Sequence, residues 1–223
     1  MPAEAKVAVL DDRGLPQPLL RGVFHLVAVI AATVGAAFLL LIADSPSAYV
    51  GGAIFAASLI LLYGISASYH RISRRPTLRR ILRRLDHAMI FVLIAGTYTP
   101  LCLKVSLAWG IPILSVVWGI AGAGVLLRLA WLGGPRWLSV TLYVMLGWLA
   151  LVAASELLEE FAPAPLVMLA LGGVLYTLGG AVYAAGRPDP WPRVFGYHEV
   201  FHLFVIAGSA VHYSLIAAFV LPS

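Results

Sequence analysis

Charge is what this sequence has least of. Asp, Glu, Lys and Arg together make up 11% of its 223 residues, where a soluble domain carries about a quarter. Cysteine is scarcer still: the single Cys102 leaves no partner for an internal disulfide, so a disulfide-stapled scaffold is excluded. The composition likewise excludes a disordered chain, a collagen and a coiled coil. There is no internal repeat and no second domain. The first 20 residues, with Glu4, Asp11 and Asp12, lack the basic start and small-residue cleavage site of a signal peptide. They read as a short cytoplasmic tail, 1–20, ahead of a single membrane domain, 21–223.

What fills the chain is apolar surface: 61% of residues are hydrophobic and the mean hydropathy is +0.95. The charge-free stretches are long. They cover 22 residues between Arg21 and Asp44, 26 between Asp44 and Arg71, and 17 in 87–103. A further 23 lie in 105–127, 19 in 137–155, 26 in 161–186 and 24 in 200–223. Each approaches or exceeds the roughly 20 residues that cross a bilayer core. Backbone groups in lipid must be satisfied within the segment, so these runs are expected to be helices. Small residues such as Gly119, Gly122, Gly124, Gly172, Gly173, Gly179 and Gly180 suit close packing between them. The expected fold is an all-α bundle of seven membrane-spanning helices.

The net charge of +5 could suggest nucleic acid, but the positions of the charges argue otherwise. With the N-terminus in the cytoplasm and loops assigned alternately, fourteen Lys and Arg fall inside and only Lys104 falls outside. That asymmetry is the positive-inside signature, so the N-terminus is expected inside and the C-terminus outside, in a multi-pass protein of the cell membrane. Seven of the arginines lie between Arg71 and Arg84. There Leu78, Ile81, Leu82 and Leu85 form an apolar stripe on a short helix starting near Pro76-Thr77. Such a segment is expected on the inner leaflet, each Arg gaining about 1 kcal/mol from anionic lipid. The expected partners are therefore membrane lipids and not nucleic acid. The oligomeric state is not legible.

Polar side chains inside spans are costly, and they are the ones to question. His70 ends the second span, and Asp86 and His87 begin the third at the same level. His198 and His202 begin the seventh, His25 sits one turn into the first, and only His212 lies deeper, by about 15 Å relative to His202. Five histidines and an aspartate thus converge on one membrane level. His198 and His202 are at i and i+4, on one helix face, the spacing with which a helix offers two nitrogens to zinc. His70 has the right depth to be the third ligand. Ser66 lies one turn before it, and Asp86 can accept a hydrogen bond from a ligand imidazole or take a proton from metal-bound water. The competing reading leaves these histidines at the headgroup boundary with no metal. Residues 198–202 also spell H-E-x-x-H, in which Glu199 would be a protease base. Glu199 is expected instead to face the interface near Arg193.

Four pieces carry a family resemblance: R-G-V-F-H at 21–25, S-A-S-Y-H at 66–70, R-L-D-H-A-M-I-F-V-L-I-A-G-T-Y-T-P at 84–100 and H-E-V-F-H at 198–202. In this order the chain resembles the hemolysin III proteins, the bacterial branch of the progestin and adipoQ receptor family. The resemblance implies seven helices with the N-terminus inside. It implies that His70, His198 and His202 bind zinc with a water as fourth ligand, and it places Ser66 and Asp86 around that water. The wider superfamily includes alkaline ceramidases, which hydrolyse a lipid amide at such a site. The position of Glu199 is not part of the pattern. The expected function is a zinc-dependent hydrolase of a lipid amide or ester, with Asp86 as proton acceptor and Ser66 steadying the water or a developing oxyanion. The alternative is a receptor or membrane-active protein in which zinc only clips the second helix to the seventh. Asp86 as fourth ligand remains open.

Among the remaining polar groups, His212 and Tyr213 are expected to satisfy hydrogen bonds inside the bundle. His25 is placed either at the mouth of the site or in a structural role. Gly96 and Pro100 are expected to give close packing and a kink in the third span. Trp109, Trp131, Trp137 and Trp191 fall near interfaces, as aromatic belts do, and Cys102 packs.

Overall fold

The computed structural model describes residues 16–71, 75–131 and 135–222. Residues 1–15, which hold most of the expected tail, and residues 72–74 of the arginine-rich loop lie outside that description. The helices run α1 Val23–Ile42, α2 Pro46–Arg71, α3 Pro76–Lys104, α4 Leu107–Ala130, α5 Arg136–Gly147, α6 Ala154–Glu160, α7 Pro163–Ala185 and α8 Tyr197–Leu215. A 3₁₀ segment, Trp148–Ala153, joins α5 to α6, and one π turn, Ile216–Val220, ends α8. Among the described residues there is no strand, only an isolated bridge between Trp191 and Phe195. Seven helices, counting Arg136–Glu160 as one, are long and apolar enough to cross a membrane. The surface is apolar as well, with Leu41, Val34 and Leu126 more than two-thirds exposed, the outside of a protein solvated by lipid chains.

Two features differ from the sequence expectation. The apolar stripe from Leu78 to Leu85 is not a separate interfacial helix. It forms the first turns of α3, which runs unbroken for 29 residues. Proline at N1 starts this helix without losing a useful N–H, and no glycine or proline interrupts it before Gly96. The fifth span, by contrast, is broken. The Tyr98 hydroxyl donates to the Gly147 carbonyl at 2.8 Å and accepts from the Ala150 N–H at 2.6 Å. A side chain inserted into the helical ladder is a recognised cause of a local break, and the chain passes into 3₁₀ geometry there.

Helix α2 packs tightly on α3, where Gly96 meets Ser58 and a Cβ on Gly51 would lie 2.8 Å from Pro100. Helix α7 packs on α8 through Gly179 against Phe204 and Gly172 against His212. Gly124 receives Phe91 of α3. Gly119 and Gly122 do not share this role, because nothing stands within 4 Å of a Cβ at either position. One core cluster forms around Leu39, Phe55, Leu59, Leu215 and Ile216, and a second around Phe91, Val117, Ala121 and Leu146. Helix α5 joins this packing through one end only: Ser139 and Leu146 are its buried residues. Polar contacts hold it, Arg128 donating to Ser139 and the Tyr143 hydroxyl to the His87 carbonyl at 3.0 Å. The space left between α5 and its neighbours is a cavity of about 370 Å³.

Candidate metal site

Helix α8 begins at Gly196, whose N–H donates to Glu199 Oε2 at 2.8 Å. That contact, from the N3 carboxylate back to the N-cap backbone, satisfies one donor at the helix start. The start in turn sets His198 and His202 one turn apart on the inward face, at 5% and 1% exposure. The last turn of α2 delivers His70 to the same place. Nε2 of His70 and Nε2 of His198 lie 3.2 Å apart. One nitrogen from each of His70, His198 and His202 falls within 4.8 Å of the others.

These residues fit a metal ion. Two nitrogens bound at 2.0–2.1 Å to one tetrahedral ion stand about 3.3 Å apart, close to the separation of the His70 and His198 nitrogens. In the metal-free tautomers one of these two imidazoles can donate to the other, and an ion would take the place of that proton. A three-imidazole set is also a recognised donor set for a metal with an open position.

Asp86 Oδ2 lies 3.9 Å from His70 Nε2. It therefore sits on the metal-facing side of that ring and not behind it at Nδ1. Ser66 is 1% exposed, and its buried Oγ has no hydrogen-bond partner among the described residues. Both residues line the cavity, as do His25, His87, His198 and His202. From this polar end the cavity runs past Thr97, Tyr176 and His212 to Leu101, Cys102 and Leu157 near the far end of the bundle. His212 faces it while bonded to the Leu169 carbonyl at 3.1 Å, and the Tyr213 hydroxyl donates to the Gly35 carbonyl at 2.9 Å. Both residues thus make the interior hydrogen bonds expected of them.

Glu199 does not face the interface near Arg193. It is fully buried and paired with Arg21, Nε to Oε1, at 2.5 Å. Local pattern carries no sign of this partner because 178 positions separate the two. The segment Arg21–His25 frames the site as a whole: Arg21 holds Glu199, Gly22 presses on His70 and His25 stacks on His202. Just before it, the Leu19 and Leu20 N–H groups donate to the carbonyls of Arg193 and Val194, each at 3.1 Å. The R-G-V-F-H segment was the only sequence signal for this frame.

Comparison with known proteins agrees with the geometry. The profile of the family described as Haemolysin-III related matches residues 14–213. The chain is 35% identical over 158 residues to the Hemolysin-3 homolog of Bacillus subtilis (strain 168), covering 70% of this chain and 71% of that protein. It is 32% identical over 180 residues to Hemolysin-3 of Bacillus cereus, covering 79% and 78%. A more distant similarity, 28% over 191 residues, reaches the Adiponectin receptor protein of Drosophila melanogaster, covering 73% of this chain and 40% of that one.

Proposed function

The chain belongs to the haemolysin-III related family of multi-pass membrane proteins, and from that premise we propose that it is a zinc-dependent hydrolase of a lipid amide or ester. One observation carries the reading. His198 and His202 of the three-imidazole cluster line one end of a cavity whose walls are almost wholly apolar, with the Ser66 hydroxyl and the Asp86 carboxylate beside them. A metal used only to clip α2 to α8 has no need of such a cavity. A volume of about 370 Å³ lies within the range of ligand pockets, and an apolar pocket inside a bundle of membrane-spanning helices suits an acyl chain.

His70, His198 and His202 would hold the ion, and a set of imidazoles with no thiolate suits zinc. When bound, zinc supplies a Lewis acid and brings the pKa of water close to neutrality. The chain's own groups do the rest. Asp86 accepts at its carboxylate the proton lost by the attacking water and returns it to the leaving nitrogen or oxygen, so the acyl carbon gains OH and the leaving group gains H. Ser66 donates its O–H to the carbonyl oxygen as negative charge develops there. The cavity walls hold the acyl chain and exclude bulk water. Glu199 has no part in this chemistry, since its carboxylate is occupied by Arg21 and Gly196. At the same end of the bundle, arginines of 71–84 would rest on anionic lipid of the inner leaflet.

The test offers ceramide-like amides and phospholipid esters to protein in nanodiscs and follows fatty-acid release with and without a chelator. Release should depend on zinc and fall by about 10²–10⁴-fold in Asp86→Asn, while Glu199→Gln retains it. A folded, zinc-loaded sample that releases no fatty acid from any such lipid would favour a structural zinc in a receptor or membrane-active protein.

A further inference from the structure

His25 is 3% exposed and lines the cavity. Neither of its ring nitrogens has a hydrogen-bond partner among the described residues. Buried polar groups nearly always have one, and leaving two nitrogens bare is unfavourable where a phenyl ring would pack as well. The ring is nevertheless held firmly. It stacks on His202 with centroids 3.6 Å apart and planes 14° from parallel, and the tilted Tyr63 ring packs against it at 5.0 Å. Its backbone is fixed by the Arg21–Glu199 pair and by Gly22, which adopts φ 77° against His70.

The stacking decides what those nitrogens can reach. Imidazole lone pairs lie in the plane of the ring. The His25 ring lies nearly parallel to that of His202 at 3.6 Å, so the lone pairs of the two rings lie in separate planes and do not converge on one point. His25 therefore does not share the ion with His202. Its nitrogens are left for a compound inside the cavity that the residue lines.

We propose that His25 is a ligand-binding residue whose imidazole donates a hydrogen bond to the carbonyl or carboxyl oxygen of an acyl compound lying in the cavity. The inference rests on the metal site described above, but it does not require that the compound be cleaved. It assigns the cavity a polarity: acyl oxygen at the His25 end and chain toward Cys102.

The experiment measures metal and ligand separately. His25→Phe keeps a ring to stack on His202 and deletes both nitrogens, and His25→Leu serves if the Phe variant does not fold. His25→Asn retains a donor. Each is purified in detergent, its zinc counted, and its cobalt-substituted form examined by visible absorption. The dissociation constant is then measured for dodecanoic acid. It is also measured for dodecanamide in the Asp86→Asn background, where turnover does not consume the amide. These two arms separate a free acid from an amide as the source of the oxygen. Dodecylamine, which lacks the oxygen, is the control. The expected result is unchanged zinc and cobalt spectra, with His25→Phe weakening at least one oxygen-bearing ligand by about ten-fold or more and His25→Asn recovering part of the loss. Equal affinity in wild type and His25→Phe for both ligands would overturn the inference and leave the hydrolase reading intact. Loss of zinc from a folded His25→Phe would also overturn it, by making His25 part of the metal-holding set. A wild-type protein that holds no zinc would remove both this inference and the reading beneath it.

Discussion

Removing Arg21 tests how the first helix is fastened to the site. Arg21 and Glu199 are 4% and 0% exposed, and Nε stands 2.5 Å from Oε1. In Arg21→Ala, Glu199 keeps the Gly196 N–H as a donor but loses its counter-charge while still shut away from water. Breaking a buried pair from one side costs about 3–5 kcal/mol. Glu199→Gln should cost less. Its amide oxygen can still accept from the ionised Arg21, so the guanidinium loses its counter-charge but keeps a charged-donor hydrogen bond worth about 1.5–3 kcal/mol. The loss should fall below that of a fully unpaired charge, about 3–5 kcal/mol. The double replacement Arg21→Met with Glu199→Leu exchanges the pair for apolar volume and should recover most of the stability, short of about 1 kcal/mol for the acceptor lost to Gly196. Unfolding in mixed micelles by SDS titration, followed by circular dichroism, gives the order. Arg21→Ala should be the least stable and the double variant close to wild type. A double variant whose loss equals the sum of its two single replacements would refute the coupling and the frame built on it.

Gly22→Ala places a Cβ on a left-handed residue 2.6 Å from His70 Cβ. The backbone strain alone is about 1–2 kcal/mol, and the displaced ligand should weaken zinc binding in a competitive chelator titration. Tyr98→Phe removes the hydroxyl that engages Gly147 and Ala150 and should destabilise the fold by about 1–3 kcal/mol in the same unfolding assay. A reporter fused after Ser223 should be active only outside the cytoplasm, and one inserted within 71–84 only inside. Activity on the opposite sides would invert the bundle and the placement of the site.

Local sequence carried much of this structure. Charge-free runs located all seven spans because a helix that crosses lipid cannot afford charge along its length, whatever it packs against. The i, i+4 spacing of His198 and His202, with His70 at equal depth, was enough to name the three residues that the fold brings together. What local pattern missed was set by partners far away in the chain. The break after Gly147 comes from Tyr98 on another helix, and Glu199 is neutralised by Arg21. The sequence placed His25 at the right membrane level, but its stacking on His202 depends on α1 lying against α8, a contact that leaves no trace in spacing. Gly119 and Gly122 looked like packing residues but face open space, since composition does not tell which side of a helix meets a neighbour.

The central claim is that His70, His198 and His202 together hold one zinc ion, and X-ray absorption at the zinc edge on purified protein tests it most directly. The account predicts about one zinc per chain, with three imidazole nitrogens at about 2.0–2.1 Å. Zinc should be lost from His198→Ala, from His202→Ala and from their double variant. Zinc content unchanged in that double variant, or a shell with sulfur or only oxygen around the metal, would contradict it.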